Sequence, residues 1–105
     1  MTKLWLDDER PSPLGWAHAR TARQAIDILD TCTVTEVSLD HDLGDDQGTG
    51  YTVACWIEKA AKFGQIPRLR WSVHSANPVG KARMEQALRN AERFWGEIEH
   101  GKSVP

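Results

Sequence analysis

Three short apolar runs in this chain stop abruptly in acid or imidazole. Lys3–Leu6 runs into Asp7-Asp8-Glu9, Val34–Leu39 into Asp40-His41-Asp42, and Leu69–Val73 into His74-Ser75. Between them lie segments whose apolar residues recur at helical spacing. Strands alternating with helices imply a parallel sheet with right-handed crossovers. In an open parallel sheet the carboxyl ends of the strands share one edge. Carboxylates and imidazoles far apart in sequence are therefore predicted to meet at a single rim.

The pattern gives four strands and about three helices. Pro11 and Pro13 make a rigid loop after the first strand, and Trp16–Arg20 reads as a second, short one. Thr21-Ala22-Arg23-Gln24 has the form of a capping box, opening a helix that buries Ala25, Ile26, Ile28 and Leu29. After the third strand, Asp45-Asp46-Gln47-Gly48 is turn chemistry. A helix from about Gly50 to Phe63 buries Val53, Trp56, Ile57 and Ala60, with Gly64 as its left-handed stop. Ile66-Pro67 restarts the chain as a strand. There Leu69, Trp71 and Val73 alternate with Arg68, Arg70 and Ser72, and one polar face places this strand at the sheet edge. Asn77 caps the last helix with Pro78 at its first position, and Gly96 is expected to end it. Its expected stripe is Val79, Ala82, Met84, Ala87, Leu88, Ala91 and Trp95. Residues 1–96 then form one domain and 97–105 a C-terminal tail.

A chain of 105 residues with 40% hydrophobic and 27% charged residues suits one modest core. A formal charge of −2 argues against non-specific binding to DNA or to an anionic membrane. No run approaches the roughly 20 apolar residues of a membrane span, and the start enters a strand pattern without signal-peptide architecture. Cys32 and Cys55 lack ligand spacing and read as reduced thiols, so the expected location is the cytoplasm.

The clusters themselves suggest chemistry. Asp7, Asp8 and Asp40, with Asp42 as a possible fourth, offer hard oxygen ligands to Mg²⁺ or Mn²⁺, although the histidines leave room for a transition metal. The competing reading is an acid pair that caps the Arg10-Pro11 turn and pairs with arginines. His41 and His74 are candidates for proton transfer or ligation, with Asp40 beside them in the catalytic set; His18 and His100 have no such context. Ser75 and Asn77 open a helix whose unpaired N–H groups suit an anion, and Thr49 and Gly50 do so more weakly. Arg10 can reach a phosphate, as can Arg20, Arg68 and Arg70. Trp16 can stack on a nucleobase, while packing is the ordinary role for the other tryptophans.

An acid pair after the first strand, an aspartate after the third and a small hydroxyl residue after the fourth resemble the receiver domain of bacterial response regulators. In that comparison Asp7 and Asp8 match the metal-binding acids, Asp40 the phospho-accepting aspartate and Ser75 the hydroxyl position. Two departures stand out: the loop Glu9 to Gly15 replaces the first helix, and no fifth strand with its lysine follows. Four motifs together are similar to the cyclic-phosphate-processing receiver-like family of bacteria and their viruses. They are Leu6-Asp7-Asp8-Glu9-Arg10-Pro11 through Trp16, Ser38 through Gly44, Thr49-Gly50-Tyr51, and Val73 through Gly80.

The resemblance implies a truncated flavodoxin- or receiver-like three-layer α/β sandwich around a mainly parallel four-stranded sheet. It implies metal-dependent hydrolytic opening of cyclic phosphates on RNA ends or nucleotides, with such a nucleotide or RNA end as partner. A pocket that binds without cutting, a phospho-accepting signalling domain, and an interaction protein whose acids serve only turns are the alternatives.

Overall fold

The computed structural model describes residues 1–44 and 48–101; the expected turn at Asp45–Gly48 and the tail beyond Gly101 lie mostly outside them. The element order is β1 (Thr2–Leu6), β2 (Ala17–Ala19), α1 (Ala22–Leu29), β3 (Val34–Leu39), α2 (Gly50–Lys62), β4 (Arg70–Val73) and α3 (Pro78–Glu99). The four strands form one parallel sheet in the order β2-β1-β3-β4. β4 lies at the edge, as its alternation predicts.

Local chemistry accounts for the helix starts. Thr21 accepts from the Gln24 backbone N–H at 3.1 Å, but the Gln24 side chain takes the Arg20 N–H rather than closing the box on Thr21. Thr49 caps α2 by accepting from Thr52 N, and Asn77 caps α3 by accepting from Gly80 N at 2.9 Å. Gly64 follows α2 at φ +67°.

Three boundaries and one stripe differ from the sequence pattern. β4 begins at Arg70, not at Ile66-Pro67, because Arg68 is drawn to Glu99 in a two-bond ion pair (2.7 and 2.9 Å) at the end of α3. α2 stops at Lys62, with Phe63 as its C-cap. α3 runs through Gly96 to Glu99, since Trp95 is buried there and donates to the Ile66 carbonyl. Val79 and Ala82 are exposed, and the buried stripe of α3 runs through Gly80, Met84, Ala87, Leu88, Ala91 and Trp95. At 100° per residue, Val79 and Ala82 fall on the opposite side of that stripe.

The layering is where the fold departs most from the expected sandwich. Both helical crossovers, β2-α1-β3 and β3-α2-β4, step across the sheet in the same direction. Right-handed connections then put α1 and α2 on the same face. α3 packs along α2, and α1 also touches α2. The result is two layers, not three. The core joins Leu4 and Leu6 of β1, Ala19 of β2, and Val37 and Leu39 of β3 to the helices. The opposite face carries Trp5, His18, Ser38 and Ser72, which are paired neighbours across the four strands. No helix of the described residues covers it, because the chain passes from β1 to β2 through a loop instead of a helix. Among the described residues no helix is long and apolar enough to cross a membrane.

Candidate functional site

The rim forms where strand order reverses, between β1 and β3, the position at which open α/β sheets bind ligands. Asp7 and Asp8 leave β1 and Asp40 leaves β3. One carboxylate oxygen from each lies within 4.8 Å of the others, a grouping that can hold a metal ion. Asp7 is 1% exposed and Asp40 9%. The donor set is three hard carboxylates, which suits a small divalent cation. Asp42, also expected among the ligands, lies outside this trio: its Oδ1 sits 2.8 Å from His41 Nδ1.

Asp7 is tightly held. Its Oδ1 accepts from the backbone N–H groups of Glu9 and Arg10, both at 2.8 Å, and its Oδ2 lies 3.0 Å from His74 Nε2. Burial pushes its carboxyl up, but those N–H groups and the His74 contact together hold it below the ordinary aspartate range. Asp40 goes the other way. Burial raises it, the Asp7 charge adds to the rise, and the His41 backbone N–H only partly offsets it.

His74 has both ring nitrogens engaged within the protein. Ser72 donates to Ser38 Oγ at 3.1 Å, Ser38 donates to His74 Nδ1 at 2.7 Å, and His74 Nε2–H donates to Asp7. The Trp5 indole stacks on the imidazole, with centroids 3.8 Å apart and planes within 6°. Burial lowers the imidazole pKa despite Asp7 and Asp40. The ring is thus neutral at neutral pH, and its link to Asp7 is a hydrogen bond rather than an ion pair. Arg10 Nη1 donates to the His74 carbonyl, at 2.6 Å, and stands 3.8 Å from Asp7 Oδ2.

His41 is arranged differently. Asp42 accepts from Nδ1–H, and this bond with His41 is the main cause of Asp42's lowered pKa. Asn77 Nδ2 is 3.5 Å from the same nitrogen, too far to displace a 2.8 Å contact with a carboxylate. Among the described residues Nε2 has no hydrogen-bond partner, so it is left as an acceptor. The ring presses on Gly80 in the first turn of α3, where a Cβ would overlap it.

The residues expected to grip phosphate are largely occupied. Ser75 accepts from Asn77 N at 3.0 Å, and Gly80 N goes to Asn77. Pro78 has no N–H, so in the first turn of α3 the Val79 N–H remains. Gly50 N donates to the His41 carbonyl. Gly50 is needed for close approach: a Cβ there would overlap the Asp40 carbonyl oxygen and lie 2.7 Å from Met84 Sδ. Thr49 is the cap of α2 and bridges to Asp42. Trp16 meets Trp5 edge-on at 6.2 Å, and Lys3 Nζ lies 5.8 Å from its ring centre. Arg20 reaches the Asp8 carbonyl at 3.4 Å, whereas Arg68 is bound to Glu99.

Four contributors have no signal as isolated residues: Trp5, His18, Ser38 and Ser72. His18 Nε2 donates to the Asp7 carbonyl at 2.7 Å. Register is the signal that exposes them. They stand two residues before Asp7, Arg20, Asp40 and His74, on the same face of adjacent strands.

Acids at the ends of adjacent strands in a parallel sheet of this order define a receiver-type α/β domain. The sequence profile of the cyclic-phosphate processing receiver domain matches residues 2–90, and the chain belongs to that family. No curated protein and no solved structure matches the chain significantly.

Proposed function

We propose that this domain is a hydrolase that opens cyclic phosphate esters of nucleotides or RNA ends with a divalent cation, Mg²⁺ or Mn²⁺, held by Asp7, Asp8 and Asp40. The observation that carries the reading is the convergence of these three carboxylates within 4.8 Å, two of them buried. Family membership supports the cyclic-phosphate part. A cation there supplies Lewis-acid polarisation of a phosphoryl oxygen.

The remaining work falls to the chain. His41, with Nδ1–H held by Asp42, accepts a proton from the attacking water at Nε2 and returns it to the departing ribose oxygen. Water oxygen bonds to phosphorus, one ring P–O bond breaks, and a phosphomonoester and a free hydroxyl remain. His74 is a positioning residue: its two hydrogen bonds and the Trp5 stack fix Asp7 Oδ2. The Ser75 hydroxyl proton, the Val79 N–H and the positive end of α3 face a non-bridging oxygen in this scheme.

The test is incubation with a panel of cyclic nucleotides, with magnesium or chelator, followed by denaturation and mass spectrometry. Ring-opened product that depends on the metal and is lost in His41→Ala is the expected result. Quantitative recovery of intact cyclic nucleotide from the denatured complex would reassign the pocket to binding alone.

A further inference from the structure

We infer that the helix-free face of the sheet is a platform for a single-stranded nucleic acid whose terminal phosphate enters the rim, so that the substrate is a polynucleotide end rather than a free nucleotide. The inference rests on the phosphate-handling reading of the rim and names the substrate class of that site.

Right-handed crossovers place α1 and α2 on one side and α3 packs along α2, so no helix of the described residues covers the opposite face. The β1–β2 loop crosses part of it, where Trp5 Nε1 donates to the Arg10 carbonyl at 3.3 Å, and Lys3, Arg70 and Ser72 stay open. That face is polar and aromatic, with His18, Ser38 and Ser72 beside Trp5 across the four strands. Lys3, Glu36 and Arg70 are paired neighbours across β1, β3 and β4, so one acid stands between two cations. Lys3, Arg70 and Ser72 are exposed, and Trp5 and Trp16 are half-buried. Cations beside aromatic rings on an open sheet are the composition by which sheets hold single strands, through phosphate contacts and base stacking.

The face is continuous with the rim. Trp16 meets Trp5, Trp5 stacks on His74, and His74 bonds Asp7, so the aromatic row ends at the carboxylate cluster. A strand lying over Trp16 and the Lys3–Arg70 line delivers its end to Asp7. The overall charge of −2 does not oppose this, because the excess acid includes the cluster that a cation neutralises.

The test measures binding of a fluorescein-labelled single-stranded oligoribonucleotide of about ten nucleotides that ends in a 2′,3′-cyclic phosphate, by anisotropy in magnesium, with the recovered strand weighed by mass spectrometry. A mononucleotide 2′,3′-cyclic phosphate is the competitor. Expected are at least tenfold tighter binding of the oligonucleotide and a log–log salt slope between about −1 and −3, as for two to four phosphate contacts. Lys3→Gln with Arg70→Gln should weaken the oligonucleotide about tenfold while leaving magnesium-dependent stabilisation and mononucleotide opening unchanged. Glu36→Gln should tighten it severalfold, a gain that misfolding cannot imitate. Equal affinity for both ligands, with neither variant shifting it, would overturn the platform while leaving the rim's chemistry standing. A tightly bound strand whose cyclic end stays closed would sustain the platform and sink the hydrolase. A concentration-dependent dimer that the double variant dissociates would give the face to a second copy and overturn the inference.

Discussion

Replacing Asp40 by Asn should make the chelated protein more stable and at the same time abolish its response to magnesium. Asp40 has carboxylate neighbours in Asp7 and Asp8 within 4.8 Å. At an effective dielectric of about 20, two unit charges at that distance repel by roughly 3 kcal/mol. The realised relief is smaller, because Asp8 is partly exposed, Arg10 lies near Asp7, and Asp40 resists ionising. A net gain of about 1 kcal/mol corresponds to a rise in Tm of about 4–8 °C for a domain near this size. The substitution is nearly isosteric, and Asn Oδ1 still accepts the His41 N–H that Asp40 now holds at 2.9 Å. In the wild type, magnesium at about a hundred times its Kd should add roughly 2.7 kcal/mol, and D40N should lose most of that.

The gap should also depend on pH. Asp40's folded pKa is raised, so its protonated form stabilises the fold at low pH, and that contribution is lost as pH rises through the folded value. Asp7's folded pKa is depressed, so its contribution is present above the ordinary aspartate range and is lost only as pH falls through its own lower value. In chelator, the advantage of D40N should therefore open as pH climbs above the usual aspartate pKa toward neutral. Calorimetry with chelator and with magnesium, across pH, reads all three effects. Asp30→Asn, at the exposed C-cap of α1, serves as control and should stay within about 0.5 kcal/mol of wild type. A D40N protein that melts lower in chelator, or keeps the full magnesium rise, would refute the account of the cluster.

Gly50→Ala sets a methyl against the Asp40 backbone, which cannot rotate away, and should cost about 3 kcal/mol; an unchanged thermal melt would contradict the close approach of α2 to the rim. Ser38→Ala removes the donor that fixes His74 and should weaken Mn²⁺ binding about tenfold by titration calorimetry; unaltered affinity would leave the Ser72-Ser38-His74-Asp7 chain without a part in ligation. Asp42→Asn removes the negative charge beside the His41 ring while its Oδ1 can still accept from Nδ1–H, and should lower kcat by about a hundredfold with KM nearly unchanged; a fall in Mn²⁺ affinity instead would return Asp42 to the ligand set.

Much of this protein could be read locally. Helix starts at Thr21, Thr49 and Asn77 follow from side chains bonding backbone two or three residues on, and such short-range chemistry is written in adjacent letters. The edge position of β4 was legible in its alternation, and the meeting of Asp7, Asp8 and Asp40 followed from strands that share a direction. Less visible was which partners each side chain finds. His41 and His74 look alike in sequence, each after a strand and beside acid or hydroxyl. Only the fold separates them, by turning Asp42 onto one and setting Ser38, Asp7 and Trp5 around the other.

The layering was likewise decided in three dimensions. Sequence alone determined the strands, the helices and the rim, because periodicity and strand direction are properties of the chain. That α1 and α2 share one face, with α3 packed along α2, depends on the direction of each crossover, which requires the strand order β2-β1-β3-β4. Strand order is set by long-range pairing. No single segment records it, and so the open face and its row of rings appear only in the folded molecule.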